Sequence, residues 1–126
     1  MRYFLIAFLL ISGLTYSQDL DEPVDFPDVE AQYPGGTNAM KYFIQNTVTY
    51  PAKAYKKGRN GRVYLTFIIE TDGHISNVKV SKSSGHRALD KEAIRVVKAM
   101  PAWSPGQAKG TKVRTRCRLP ISFIIG

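Results

Sequence analysis

Residues 61–80 read GRVYLTFIIETDGHISNVKV, and this stretch determines the architecture expected of the chain. Apolar side chains occupy every second position from residue 63 to residue 69, which is the period of a strand with one buried face. The Asp72-Gly73 pair that follows supplies the positive φ that a tight turn requires, and Val78 and Val80 continue the apolar face beyond it. The segment therefore predicts a β-hairpin.

The C-terminal segment alternates in the same way and predicts one long strand over residues 112–123. The positions expected to face inward are Val113, Thr115, Cys117, Leu119, Ile121 and Phe123. The positions expected to face outward are Lys112, Arg114, Arg116, Arg118, Pro120 and Ser122. Proline cannot donate to a β-ladder, and a row of positive charges discourages pairing, so we expect this strand to lie at an edge of the sheet.

Two segments have helical spacing. After Thr37, the expected N-cap, Met40 and Phe43 recur at the spacing of a helix over residues 37–46, and a further helical turn is expected at residues 52–55. A second apolar stripe comprises Leu89, Ala93, Val96, Val97 and Met100, and it ends at Pro101. Residues 101–110 are expected to form a Pro/Gly-rich connection. The elements together predict an α+β fold, a small antiparallel sheet with helices packed on one face.

The 126 residues suffice for one small domain preceded by a short extension. Residues 1–17 combine Arg2, an apolar run and small residues at the end, which predicts a cleaved signal peptide or, if it is retained, a short anchor. Residues 18–32 hold six of the ten acidic residues and two prolines. We expect a solvated linker there; the alternative is that it folds back onto the basic edge. The domain is expected at residues 33–126.

From residue 31 onward the chain has 17 Lys and Arg against four Asp and Glu. This balance favours encounter with acidic partners, and export argues against nucleic acid as one of them. Tyr50-Pro51 and Trp103 place large rings beside prolines in connections, where they either form a binding edge or close the ends of the core.

Residues capable of catalysis or metal binding are few. The sole cysteine, Cys117, excludes an intramolecular disulfide and a Cys-based zinc site, and its inward position favours an inert thiol. His74 lies beside Asp72 in a polar turn, and His86 and Asp90 are spaced as a surface pair on a helix. We therefore expect no catalytic residue, no metal and no cofactor. The alternative is a periplasmic enzyme or metal-binding protein. Loss of activity on substitution of His74 or His86 would favour this alternative.

Taken together, several short motifs resemble the C-terminal domain of the TonB family, in the form common in the Bacteroidetes. They are YPGG at 33–36, YP at 50–51, GRVY at 61–64, DG at 72–73, LDKEA at 89–93, RVV at 95–97, MPAWSPG at 100–106 and LPISF at 119–123. The resemblance implies a three-stranded antiparallel sheet with two helices. It also implies that the domain binds the periplasmic TonB box of outer-membrane transporters by strand addition.

The resemblance also implies where the partner would bind. The receiving edge would be the last strand, with Lys112, Arg114, Arg116, Arg118, Pro120 and Ser122. A neighbouring Tyr-Pro element would contribute Asn46, Thr49, Tyr50 and Pro51.

These expectations define a periplasmic binding module for transporter peptides or another envelope protein. In the alternative, the anchored chain is a short energy transducer that drives nutrient uptake with inner-membrane motor proteins. Dimerisation through the same edge is a further possibility for any unpaired strand.

Overall fold

The computed structural model describes residues 22–125. The predicted signal peptide and the first residues of the predicted linker lie outside this range. The helices are α1 (Thr37–Thr47), α2 (Ala52–Lys56) and α3 (Arg87–Lys98), and the strands are β1 (Gly61–Ile69), β2 (Ile75–Lys82), β3 (Gly106–Ala108), β4 (Thr111–Val113) and β5 (Thr115–Phe123). No helix within residues 22–125 is long and apolar enough to cross a membrane.

The main sheet has three antiparallel strands in the order β2-β1-β5, which confirms the predicted α+β fold. Strand β1 lies at the centre, and the alternation seen in its sequence buries Val63, Leu65, Phe67 and Ile69 completely or nearly so. Its register with β5 runs without interruption from the Gly61–Phe123 pair to the Ile69–Thr115 pair. Strand β2 pairs on the other side of β1 with two irregularities in register. Strand β5 is thus an edge strand, as predicted.

Helix α3 covers one face of the sheet with the predicted stripe. Its fully buried residues are Leu89, Ala93, Val96 and Val97. Burial of a Val or Leu side chain contributes about 1.5–3 kcal/mol, so this stripe is a main source of stability. Phe43 and Ile44 of α1 pack against the same core, and no helix within residues 22–125 covers the opposite face of the sheet. Gly36, not Thr37, is the N-cap of α1, with φ 89° and no side-chain capping bond, so that sequence prediction was wrong.

The turn between β1 and β2 requires glycine at position 73. Gly73 has φ +92°, and a Cβ placed there would lie 2.1 Å from the carbonyl oxygen of Trp103. The Trp103 N–H donates to the Gly73 oxygen at 2.8 Å, so the turn rests directly on the 101–105 connection. The Trp103 ring meets Phe67 and Tyr33 edge-on at 5.6 and 5.9 Å and closes that end of the core.

The prediction of one strand over residues 112–123 was wrong. The chain instead forms a separate β3–β4 hairpin before β5, and Lys112 pairs with Gln107 in that hairpin. Its two-residue turn has positive φ at both Lys109 (52°) and Gly110 (76°), the geometry that matches the twist of paired strands. Arg114 joins this small sheet to β5, so Lys112 lies outside the edge of the main sheet.

Candidate functional site

The outer edge of β5 directs backbone hydrogen-bonding groups away from the sheet. The Arg116 N–H donates to the carbonyl of Val24 at 2.9 Å, and the Arg114 carbonyl accepts from the Val24 N–H at 2.8 Å. Backbone groups alternate in direction along a strand. The backbone nitrogen and carbonyl therefore face away from β1 at Arg118, Pro120 and Ser122, as they do at Arg116. Pro120 therefore occupies a position where its missing N–H removes no bond to β1.

The side chains of these same residues lie on the sheet face without helices. Arg62 donates through Nε to Ser122 Oγ at 2.9 Å. Arg114 donates through Nε to Glu70 Oε1 at 2.8 Å. The Arg114 hydrogen bond, helped by a bond from Ser76, holds the pKa of the Glu70 carboxyl below its usual value. The face is basic, and Glu70 is the acid that organises its Arg114 end.

Residues 22–32, here called the strap, are attached to the domain by backbone and side-chain bonds although six of the eleven are exposed, so the prediction of a solvated linker was wrong for them. Val24 forms a parallel bridge with Thr115 of β5. Asp25 Oδ1 accepts from Arg116 Nη1 at 3.1 Å and from Arg118 Nη2 at 3.2 Å. These bonds lower the pKa of the Asp25 carboxyl, and the bond from Arg116 has the larger effect. For residues 22–32, the alternative in which the acidic segment folds back on the basic edge is the arrangement observed, with contacts to β5 at Val24 and Asp25.

The strap has two further backbone attachments, Val29 to Gln107 and Gln32 to Ser104. The Lys109 N–H also donates to Asp28 Oδ2 at 2.7 Å. The strap passes close to Gly106, where a Cβ would lie 2.3 Å from Thr115 Oγ1 and 3.1 Å from Pro27 Cγ. A residue larger than glycine at 106 would thus disturb the strap and the start of β5 together.

A groove opens between the strap and β5. It is lined by strap residues, by Met40 and Trp103, and by four residues of β5, namely Arg116, Cys117, Arg118 and Leu119. Burial raises the pKa of the Cys117 thiol to about 11, so this thiol stays protonated at neutral pH. The Trp103 Nε1–H is buried beside the groove, and no acceptor within residues 22–125 bonds to it. The groove therefore has a mixed lining, apolar at Met40, Trp103 and Leu119 and charged at Arg116 and Arg118.

The Tyr-Pro element lies at the far end of β5. The Tyr50 ring meets Phe123 edge-on at 5.6 Å, and its hydroxyl donates to the Arg59 carbonyl. The Thr49 N–H donates to Glu92 Oε2 of α3 at 2.6 Å. This contact fixes the element to α3 and leaves Tyr50 against the last residue of the edge.

Glu92 is the centre of that attachment. It accepts two hydrogen bonds from Arg95, each 2.7 Å, in addition to the bond from Thr49. Arg95 in turn donates through Nη2 to the Thr47 carbonyl at 2.9 Å. The hydrogen bonds from Arg95, and then that from Thr49, hold the pKa of the Glu92 carboxyl below its usual value.

The structure brings most of the sequence-predicted site residues to one side of the molecule. Arg116, Arg118, Pro120 and Ser122 lie along the β5 edge, with Arg114 at its start and Tyr50 at its end. Lys112 lies in the small sheet instead. Pro51 is the N-cap of α2, and Asn46 donates to the Tyr42 carbonyl within α1 at 2.7 Å.

Two contributors to the site, Val24 and Asp25, are not among the site residues predicted from the sequence, although the fold-back alternative includes them. The excess of acids in residues 18–32 opposite a basic strand was the available signal.

The polar turn near His74 has a local role. His74 Nδ1 and Asp72 Oδ1 are 2.5 Å apart in an exposed position, and Glu70 is bound to Arg114 and Ser76. In the first turn of α3, the Asp90 carboxylate accepts hydrogen bonds from Ser83 and Ser84 and stabilises the loop that precedes this helix. Across the part of the chain that the structure describes, no three His, Cys, Asp or Glu side chains come together as a metal site.

The family of Gram-negative bacterial TonB protein C-terminal domains matches residues 46–125, which include the whole main sheet, α2, α3 and the Tyr-Pro element. The chain belongs to the TonB C-terminal domain family. Protein TonB of Xanthomonas campestris is 31% identical over 80 residues, which cover 64% of this chain and 35% of that protein. Protein tonB2 of Pseudomonas aeruginosa is 42% identical over 76 residues, or 59% of this chain and 27% of that protein. The chain thus spans between about a fifth and about a third of the length of the curated relatives it matches.

Solved TonB C-terminal domains have the same fold. The domain of Helicobacter pylori, determined by NMR, aligns with a TM-score of 0.55 at 23% identity and covers 74% of this chain and 87% of that one. The Pseudomonas aeruginosa domain aligns with a TM-score of 0.52 at 28% identity and covers 62% of this chain and 78% of that one. The shared elements are the antiparallel sheet and its helices, which confirms the family resemblance seen in the sequence.

Proposed function

We propose that the chain binds the periplasmic TonB-box peptide of an outer-membrane transporter by pairing it with β5, as a step in TonB-dependent transport. The observation that supports this most directly is the pairing of Val24, a residue outside the sheet, with Arg114 and Arg116. An edge that accepts one extended segment in this way has the backbone geometry to accept another. Family membership supplies the class of partner.

Among residues 22–125, no backbone group pairs with the outer edge of β5 between residues 117 and 123. There Arg118 and Ser122 each offer an amide and a carbonyl, and Pro120 offers a carbonyl alone. Each ladder bond contributes about 0.5–1.5 kcal/mol net, so a short peptide gains a few kcal/mol from the backbone and needs side-chain contacts as well. The groove at Cys117 and Leu119 and the Tyr50 ring at the end of the strand are placed to provide them. Binding of this kind is reversible, as coupling to a transporter requires.

A binding role, without catalysis, fits the residues present. The acids of the domain are engaged in structural bonds, Glu70 to Arg114, Glu92 to Thr49 and Arg95, and Asp90 to Ser83 and Ser84. We place the protein in the periplasm after export, because residues 1–17 have the pattern of a signal peptide.

The alternative is a short energy transducer that drives nutrient uptake, with residues 1–17 retained as an anchor in the inner membrane. N-terminal sequencing of the protein from its native envelope separates the two. A chain beginning near Gln18 in the soluble fraction supports the exported module, and a retained Met1 in the inner membrane supports the transducer.

The binding proposal is tested with two substitutions at one position. Arg118→Pro removes the amide that faces off the sheet, whereas Arg118→Ala removes only the side chain and is the matched control. Both lose the contact with Asp25, so any difference between them reports the backbone donor. With a transporter TonB-box peptide in calorimetry, we expect Arg118→Pro to bind about two- to twelvefold more weakly than Arg118→Ala, the effect of losing one ladder bond. Equal affinities, with both variants folded by circular dichroism, would exclude pairing along this edge.

A further inference from the structure

The strap is attached to the domain mainly through its backbone. Val29 and Gln107 exchange N–H to carbonyl bonds of 3.0 and 2.9 Å, and Gln32 and Ser104 exchange bonds of 2.9 and 2.8 Å. Few of its apolar side chains are buried: Phe26 is 86% exposed and Val29 52% exposed, whereas Pro27 is buried and Ala31 packs against the core. A segment with few buried apolar contacts and exposed backbone bonds opens more easily than the core.

The ion pairs of the strap also hold it only weakly. Asp25 bridges Arg116 and Arg118, but its side chain is 38% exposed and those of the two arginines are 36% and 57% exposed. Ion pairs in such positions are weak and are screened by salt. The strap therefore adds order to the basic edge without a large gain in stability.

The two backbone bonds of Val24 occupy the same groups of the β5 edge that an added strand would bind. An external peptide that runs along β5 past residue 116 needs the Arg116 N–H and the Arg114 carbonyl, and Val24 occupies both. The two segments cannot bind these groups at once. Beyond Asp25 the strap leaves the strand, since its next bridge is that of Val29 to Gln107, and residues 118–122 remain as the first point of contact.

We propose that the strap is a resident ligand of the β5 edge, which an incoming peptide displaces as it extends its pairing toward Arg116 and Arg114. This proposal rests on the proposed function for the identity of the incoming strand. The displaced contacts specify the competitor as an extended peptide with a carboxylate that replaces Asp25 between Arg116 and Arg118. Apparent affinity falls in proportion to the fraction of molecules whose edge is open, so the strap lowers the affinity for such a peptide.

The first test uses amide hydrogen exchange of the full chain by NMR. The double variant Val24→Pro/Asp25→Asn removes one ladder donor and the carboxylate, and Glu30→Gln is the control with the same kind of charge change at an exposed position. We expect the Arg116 amide to exchange at least about tenfold faster in the double variant than in wild type or the control. The Cys117 amide, which faces β1, should stay unchanged. Equal exchange of Arg116 in all three proteins would overturn the proposal.

The second test adds a labelled synthetic peptide of residues 22–32 in trans and measures fluorescence anisotropy. We expect saturable binding to the double variant at least about tenfold tighter than to wild type or Glu30→Gln. Equal affinity for all three proteins would mean that the strap does not compete for the edge.

A transporter peptide run in parallel separates the two proposals. If it binds none of the three proteins, the proposed function fails, whereas the strap result stands on the exchange data and the 22–32 peptide. If it binds all three equally, the strap proposal fails and the proposed function survives.

Discussion

Replacement of Glu92 by alanine should loosen the Tyr-Pro element from α3. The Glu92 side chain is only 11% exposed and accepts one bond from the Thr49 N–H and two from Arg95. Hydrogen bonds to a charged group contribute about 1.5–3 kcal/mol to the free energy of unfolding. Because Arg95 is half-exposed, the contribution of its bonds to Glu92 lies at the low end of that range. We expect Glu92→Ala to lower the free energy of unfolding by about 2 kcal/mol, or Tm by about 8–16 °C. Glu92→Gln keeps an acceptor for Thr49 and should lose about half as much.

The pH dependence of this effect has a definite sign. The folded-state pKa of Glu92 lies below the 4.5 of an unfolded glutamate, so its contribution is complete above that pH and is lost as pH falls through the folded pKa. Urea unfolding at pH 7 should show the full deficit of Glu92→Ala, and at pH 3 the deficit should shrink. A deficit below about 0.5 kcal/mol at pH 7, or one that grows on acidification, would refute the role given to this carboxylate.

Three further predictions concern the turn, the thiol and the basic edge. Gly73→Ala should lower stability by about 2 kcal/mol or more, because of the positive φ and the contact with the Trp103 carbonyl; an unchanged urea midpoint would contradict this. Cys117, with its pKa raised to about 11, should react with a disulfide reagent at pH 8 far more slowly in the native protein than in urea, and equal rates would show that it is accessible. Arg118→Glu should slow association with the transporter peptide and flatten its dependence on salt in stopped-flow measurements, whereas an unaltered salt dependence would remove electrostatics from the mechanism.

The main sheet and α3 could be predicted from the sequence because their signals are periodic. Alternate burial in β1 and the Leu89–Val97 stripe of α3 come from side chains that must face one core. The same logic located the edge strand, since Pro120 and the arginines fit a position with unpaired backbone groups.

The strap and the small hairpin could not be predicted in this way. The strap attaches through backbone bonds at Val24, Val29 and Gln32, and backbone bonds leave no side-chain period. The β3–β4 turn places Lys109 at positive φ, where asparagine, aspartate or glycine is usual, so the sequence lacked the expected turn signal. The charge pattern was the one sequence feature that indicated contact between the strap and β5, because the same chain has an acidic segment and a basic edge strand.

The most direct test of strand pairing along β5 is an NMR titration of the isotope-labelled full chain with a transporter TonB-box peptide. We expect the amides of Arg118 and Ser122 to become protected from exchange and peptide protons to give intermolecular contacts along residues 116–122, while β2 is unaffected. Contacts confined to β2 or to the helices, or saturating binding with unprotected Arg118 and Ser122 amides, would contradict this pairing.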